Sequence, residues 1–267
     1  MSGNELLNEG GNIFKTPEGE PATIRINQSD VVPTLQWLEG IVDLELTDNM
    51  LGTTGKKSTS GDLDVAVDST KITKGELEQK LADYVNKNHT GEDVKTWVRK
   101  SGISVHFKTP INGDPKNGFV QTDLMFGDPE WMKFSLQGSA EGSNYKGAHR
   151  HILLSSIAKT KGMKWSANNG LLDRETNEVV TKDPNQIAKT LLGQTATPST
   201  IESVESIVKY IMKLPNYEEL VADARETFEK DGVTLPDAKK VESYQPGSIG
   251  WMRSLIDIVD ENKRNRY

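Results

Sequence analysis

Apolar residues recur at helical spacing in several stretches of the chain, and these stretches predict its helices. Ser29 or Asp30 can cap the first helix, which carries an apolar stripe over positions 32–42. Gly193 follows another such stretch and can end its helix. Beyond the first helix, we predict helices over residues 74–86, 147–159, 184–192, 201–212, 217–230 and 249–261.

Shorter runs that contain apolar residues predict strands in the first half of the chain. They cover residues 49–51, 62–68, 103–108 and 119–126. Residues 164–180 predict further short strands, which are joined by turns at 168–170 and 174–177. The alternation of strands and helices predicts an α+β fold, in which a small mixed sheet has helices packed against it.

The same patterns divide the chain into four parts. Residues 1–28 are rich in Gly, Asn, Pro and Glu, and we expect an extended, partly mobile segment. Residues 29–146 hold the predicted sheet and form one domain. Residues 147–195 form a smaller α/β segment. Residues 196–267 form a helical region, which ends in a basic tail at 263–266.

Composition limits the classes of protein that this chain represents. Its 267 residues contain no cysteine, which excludes disulfides, thiolate zinc sites and cysteine nucleophiles. The net charge of −7 argues against a strongly basic binder of long nucleic acid. No apolar run reaches membrane-spanning length, and the start of the chain lacks the basic and apolar regions of a signal peptide. We therefore expect a soluble, cytoplasmic protein.

Two aspartates in the strand predicted over 62–68 indicate metal chemistry. Asp62 and Asp64 are two positions apart, so both side chains face the same side of a strand. A Gly, Ser, Thr and Lys-rich loop precedes them, which suits the binding of phosphates beside a divalent cation. Asp123 lies inside an apolar strand, where a carboxylate is costly unless it is paired or binds metal. The alternative for Asp123 is an acid on the solvent face; we favour the metal role.

The stretch from Gly52 to Val67 resembles the signature of the polymerase-beta-type nucleotidyltransferase superfamily, and is closest to the family X DNA polymerases. Their loop ends Ser-Gly-Asp-x-Asp-Val, as Ser60-Gly61-Asp62-Leu63-Asp64-Val65 does here. Thr122-Asp123-Leu124 resembles the strand of the third carboxylate. Residues 147–162, 169–173 and 183–193 resemble the nucleotide-site helix and the thumb of that family. The chain also resembles nucleotidyltransferases encoded by tailed phages, which implies the host cytoplasm.

The resemblance covers about residues 29–193 and implies a palm over 29–146 and a thumb-like segment over 147–195. It implies a two-metal enzyme that uses two Mg²⁺ or Mn²⁺ ions, an NTP or dNTP, and a hydroxyl acceptor, most simply a nucleic-acid 3′ end. The implied catalytic and metal residues are Asp62, Asp64 and Asp123. The implied nucleotide-binding residues are Gly52, Thr53, Thr54, Lys56, Lys57, Ser60 and Gly61. The candidate acceptor-binding residues are His149, Arg150, Lys159, Lys161 and Lys164.

Several points stay open at the level of sequence. Gly52-Thr53 replaces the usual Gly-Ser, and Lys56 and Lys57 stand where the family tends to use arginines. The segment that contacts the incoming nucleotide is either 134–139 or 147–148. His106 alternates with apolar residues on a strand, and we interpret it as a surface or internally satisfied histidine. The alternatives to a polymerase-like enzyme are AMP transfer to a small molecule or protein, and a non-catalytic protein with the same fold.

Overall fold

The computed structural model describes residues 12–139 and 143–238. Its largest sheet has four strands in the order β3-β6-β5-β4, in which β3 and β6 are parallel and the other neighbours antiparallel. A two-stranded ribbon, β1-β2, and a three-stranded sheet, β7-β8-β9, complete the strands. The strands are β1 Ile26–Asn27, β2 Thr59–Ser60, β3 Asp62–Asp68, β4 Val98–Ser101, β5 Ser104–Pro110, β6 Phe119–Gly127, β7 Met163–Ser166, β8 Gly170–Asp173 and β9 Val179–Thr181.

Seven α-helices accompany the strands in the described part of the chain. Local sequence explains where several of them begin: the Thr73 hydroxyl accepts a hydrogen bond from the Glu76 amide, and the Glu76 carboxylate accepts one from the Thr73 amide. None of these helices is both long and apolar enough to cross a membrane. They are α1 Gln28–Val42, α2 Lys74–Asn88, α3 Pro129–Ser135, α4 Gly147–Thr160, α5 Pro184–Leu192, α6 Val204–Ile211 and α7 Tyr217–Lys230.

One face of the four-stranded sheet is buried against α1 and α2. Strand β3 contributes Leu63, Val65 and Val67 to this core, so every second residue points toward the helices. Its intervening residues, which include Asp62 and Asp64, point to the opposite face. The same alternation on β6 places Asp123 on this opposite face, part of which is covered by α3 through the apolar contacts of Ala66, Met125 and Met132.

A second core lies in the carboxy-terminal half. Helices α4 to α7 pack together, and buried residues from β7 and β8 join them. The core draws on the predicted segments 147–195 and 196–267 alike: His149 of α4 and Phe228 of α7 have ring centroids 4.7 Å apart. The division of the chain into four parts stays a prediction.

The mixed α+β architecture agrees with the sequence prediction, and the differences are local. Residues 49–51 are not a strand: a 3₁₀ turn covers Thr47–Asn49, and Met50 makes a single bridge to Val65. Strand β4 and helix α3 have no counterpart among the predicted elements. The helix predicted over 201–212 begins at Val204, after a separate 3₁₀ turn at Pro198–Ile201. The predicted helix 249–261 and the basic tail lie outside the described residues.

Candidate metal centre and adjoining loop

The parallel pairing of β3 with β6 brings three aspartates together. Asp64 is the register partner of Asp123, and Asp62 lies two positions before Asp64 on the same face. One carboxylate oxygen from each residue lies within 4.8 Å of the other two. Asp123 is 6% exposed, whereas Asp62 and Asp64 are only partly covered, so the cluster opens to one side. Three converging carboxylates offer the hard oxygen ligands that Mg²⁺ and Mn²⁺ prefer.

The electrostatics of the cluster favour a bound cation. Burial raises the pKa of Asp64 to about 8, and the charges of Asp62 and Asp123 contribute to the rise. The pKa of Asp62 is raised by burial and by Asp123, against a weaker opposing effect of Arg25. Because like charges are held together at partial burial, a divalent cation would relieve both the repulsion and the lost solvation.

Two neighbouring side chains hold Asp123 from within the sheet. His106, on β5, is the register partner of Asp123, and its Nδ1 lies 2.7 Å from Asp123 Oδ1. Gln121 donates from Nε2 to the same oxygen at 2.9 Å. The Gln121 Oε1 in turn accepts a hydrogen bond of 3.0 Å from the Ile13 amide. The His106 contact could not be predicted from sequence, because it depends on the register of β5 against β6.

The loop after Leu51 is fastened to β3 at Asp64. The Leu51 amide donates to the Asp64 carbonyl at 2.8 Å, and the Asp64 amide donates to the Thr54 hydroxyl at 3.0 Å. Gly52 takes a positive φ of 58°, which favours glycine at this bend. Thr54 is buried and Thr53 is exposed. Of these two predicted nucleotide-binding residues, only Thr53 is therefore exposed to a ligand.

The rest of the loop carries exposed cations and adjoins an arginine that the sequence analysis missed. Lys56 and Lys57 are exposed. Arg25 donates from Nε to the Thr59 hydroxyl at 3.1 Å and from Nη2 to the Thr59 carbonyl at 3.2 Å. A Cβ on Gly61 would lie 3.2 Å from Arg25 Nη1, so the guanidinium lies against the turn that leads into Asp62. Arg25 falls in the segment predicted to be extended and mobile, and nothing in the motif pointed to it.

The predicted nucleotide-binding residues Ser60 and Gly61 end the loop. Ser60 is buried and pairs with Ile26 in the β1-β2 ribbon, so it has little surface for a ligand. Gly61 is exposed. The loop therefore presents Gly52, Thr53, Lys56, Lys57 and Gly61 to solvent or near it, and uses Thr54 and Ser60 to hold its shape.

A cavity of about 330 Å³ adjoins this loop. It is lined by residues from 137–139 and 143–147 on one side and from 199–206 on the other, so both segments considered for nucleotide contact border it. The two sites are contiguous, because a Cβ on Gly138 would lie 2.8 Å from Thr53 Cγ2. Arg150 lines the cavity, and its Nη2 has no hydrogen-bond partner among the described residues. Burial lowers the pKa of Arg150 to about 10, which leaves it charged at neutral pH.

The five candidate acceptor-binding residues are spread along α4 and just beyond it. His149 is fully buried: its Nδ1 accepts from the Lys146 amide and its Nε2 lies 2.8 Å from Asp231 Oδ2. Arg150 is also buried, and donates to the carbonyls of Phe134, Ser135 and Ile201. These contacts hold α4 within its core.

The lysines lie at the other end of α4. Lys159 pairs with Asp223, Lys164 donates to Asn177 Oδ1 at 2.5 Å, and Lys161 is exposed. A 14-residue helix is ~20 Å long, so Lys159 and Lys161, at its carboxy-terminal end, lie about that far from the Gly147 end that borders the cavity.

No protein-family model and no curated protein matches this chain.

Proposed function

We propose that this protein is a metal-dependent nucleotidyltransferase of the polymerase-beta type, which transfers a nucleoside monophosphate from an NTP or dNTP to a hydroxyl group. The observation that carries the proposal is the convergence of Asp62, Asp64 and Asp123 from adjacent parallel strands, with ligand atoms within 4.8 Å of one another. The reaction also requires a binding site for a triphosphate, and the neighbouring loop, which is rich in Gly, Thr and Lys, is suited to that role.

The residues present fit a divalent metal. Asp62 and Asp64 would hold Mg²⁺ or Mn²⁺ together, and Asp123 would complete the ligands on the side of the attacking hydroxyl. When bound, such ions lower the pKa of a hydroxyl and offset charge on the entering and leaving oxygens. The raised pKa of Asp64 supports this assignment, because metal binding offsets the repulsion that helps to raise it.

In this proposal the loop binds the phosphates of the nucleotide, and the adjoining cavity binds the nucleoside. The Arg25 guanidinium, which lies against the turn that leads to Asp62, suits the β- and γ-phosphates, and so do the exposed loop residues Thr53, Lys56 and Lys57. The nucleoside would then extend past Gly138 into the adjoining cavity. The cavity volume of about 330 Å³ is at the lower end of the ~300–1,000 Å³ that is usual for small-molecule sites.

The proposed acceptor is a nucleic-acid 3′ end, on the basis of the polymerase-like segments 147–162 and 169–193. One observation favours the second candidate, transfer of AMP to a small molecule or protein. Of the candidate acceptor-binding residues, His149 and Arg150 are buried and Lys159 is paired, which leaves few exposed cations for a phosphate backbone. The net charge of −7 points the same way.

A transfer assay with a panel of acceptors tests the proposal and separates the two candidates. The protein is incubated with Mg²⁺ or Mn²⁺, α-labelled NTPs and dNTPs, and DNA, RNA, protein or small-molecule hydroxyl acceptors. Extension of a DNA or RNA end supports the first acceptor class; label on a protein or small molecule supports the second. Absence of metal-dependent transfer to every acceptor would count against the reaction class itself.

A further inference from the structure

The hydrogen bonds from described residues to the Asp123 carboxylate all go to one of its two oxygens. Two donors, His106 Nδ1 and Gln121 Nε2, both contact Oδ1, at 2.7 and 2.9 Å. No hydrogen bond from a described residue to Oδ2 accompanies them. The carboxylate is therefore held by one oxygen, and the other is left for a ligand.

His106 is costly to keep for packing alone. The side chain is 1% exposed, and its Nε2 has no hydrogen-bond partner among the described residues. A buried polar atom without a partner is unfavourable, so an apolar residue would suit the fold better at this position. The hydrogen bond from His106 to Asp123 offsets this cost.

The Gln121 amide has a defined orientation. Its Oε1 accepts from the Ile13 amide, so its Nε2 must point toward Asp123. The residues that precede α1 thereby help to direct the second donor. Ile13 is followed by Phe14, whose side chain is buried and fixes this part of the chain.

We infer that His106 and Gln121 are positioning residues, which lock Asp123 through Oδ1 so that Oδ2 faces the metal. The inference rests on the proposed metal-dependent function. Neither residue touches the metal or the substrate in this assignment; both act by fixing the rotamer of a ligand. Partners of metal ligands typically change metal affinity or activity by about 10–100-fold when they are removed.

The test is Mn²⁺ binding to the nucleotide-free protein, with the free ion measured by electron paramagnetic resonance. His106→Leu removes the donor and keeps an apolar side chain, and we expect its Mn²⁺ dissociation constant to rise about 10–100-fold. His106→Asn can place an amide N–H near the position of Nδ1, and should recover most of the affinity. Gln121→Leu removes the second donor and should weaken binding in the same direction.

Thr109→Val is the matched control for loss of stability. The Thr109 hydroxyl contacts the Thr122 hydroxyl at 2.6 Å on the same two strands, but on the opposite face of the sheet. This variant should melt earlier and bind Mn²⁺ as the wild type does. A purely structural role for His106 predicts that Thr109→Val and His106→Leu behave alike.

The outcomes separate the inference from the proposed function. If the wild type binds Mn²⁺, Asp123→Asn loses it, and both His106→Leu and Gln121→Leu retain wild-type affinity, the positioning role is wrong and the metal centre stands. If the wild type binds no Mn²⁺, the metal-dependent function fails together with the inference. Should His106→Leu not fold, unchanged affinity in Gln121→Leu is sufficient to overturn the inference.

Discussion

At the scale of single residues, the site depends on carboxylates that are kept close together at partial burial. The Asp-x-Asp pair could be predicted from sequence, since period-two spacing puts Asp62 and Asp64 on one face of any strand. Asp123 was predictable as a polar residue within an apolar run. His106 was not, because alternation with Val105 and Phe107 is equally typical of a surface histidine. Only its register opposite Asp123 shows what it does.

The raised pKa of Asp64 predicts a pH-dependent stability of the metal-free protein. The folded chain holds the proton up to about pH 8, whereas the unfolded chain loses it near the ordinary value of 3.8. Between these values the folded state binds more protons, so the contribution of Asp64 to stability falls as pH rises and is lost above about pH 8. We expect calorimetry with a chelator at pH 9 to give a higher melting temperature for Asp64→Asn than for the wild type.

Addition of Mn²⁺ should reverse the order of the two melting temperatures. Only the wild type offers the ion all three carboxylates, so the ion binds it more tightly and stabilises it more. Asp68→Asn is the control on the same strand. The Asp68 pKa is lowered by hydrogen bonds from Thr70, so its contribution to stability is lost at acid pH and is constant between pH 6 and 9. A melting-temperature difference between wild type and Asp64→Asn that does not change from pH 5 to 9 would contradict the electrostatic account of the site.

At the scale of elements, the long periodic segments were predictable and the short ones were not. Strand β3 and helices α5 and α7 have the predicted bounds. Strand β4 was missed because three of its four residues are exposed at the sheet edge, so it carries no alternating pattern. Residues 49–51 pair with β3 through a single bridge, which is tertiary context that the local sequence does not contain.

The contact between the loop and the segment before α4 predicts a selective effect of Gly138→Ala. The new Cβ would lie 2.8 Å from Thr53 Cγ2, so the Thr53 side chain has to move. If Thr53 binds the triphosphate, the KM for the nucleotide should rise about tenfold, which corresponds to ~1.4 kcal/mol. Mn²⁺ binding without nucleotide should be unchanged, because the three carboxylates are not displaced.

Gly147→Ala is the matched control for that variant. Gly147 borders the same cavity, but a Cβ there meets nothing within 4 Å, and alanine suits the start of a helix. Steady-state kinetics should show an unchanged KM for Gly147→Ala. Equal KM values for Gly138→Ala and the wild type would show that the contact between Gly138 and Thr53 has no role in nucleotide binding.

At the scale of the whole molecule, two large hydrophobic cores order the two halves of the described chain. The first core orders the sheet, and the second orders α4 and the helices that follow. Sequence periodicity predicted most of these helices, but it could not show that Arg150 and His149 turn into the second core. Arg150 contacts Ile201, which is 51 positions further along the chain, and His149 contacts Asp231, which is 82 positions further along. Local periodicity contains no information on contacts at these separations.

The acceptor surface can be tested through salt dependence. If Lys159, Lys161 and Lys164 bind the phosphates of a single strand, replacing all three with Ala should reduce the slope of log affinity against log salt. The expected reduction is ~0.7 for each phosphate that the variant no longer neutralises. Fluorescence anisotropy with a labelled oligonucleotide measures this slope. Removal of the exposed Lys159–Asp223 pair should cost little stability, on the order of 1 kcal/mol or less.

The exposed lysines Lys80, Lys87 and Lys95, which lie on or near α2, form a charge-matched control set. Their replacement should lower the affinity through net charge only, with a smaller change in slope. An identical slope in both triple variants would clear the α4 lysines of a specific role. It would strengthen the case for a small-molecule or protein acceptor.

The most direct test of the central claim is pyrophosphate release coupled to transfer of an α-labelled nucleotide, measured for the wild type and for Asp123→Asn. With the productive acceptor and Mg²⁺ or Mn²⁺, we expect the wild type to transfer label with one pyrophosphate released per transfer, and a chelator to stop it. Asp123→Asn should retain its folded structure by circular dichroism and lose at least ~99% of the rate, since one ligand of the metal at the attacking hydroxyl is gone. Wild-type turnover in Asp123→Asn, Asp62→Asn and Asp64→Asn alike would contradict a metal centre built from these three carboxylates.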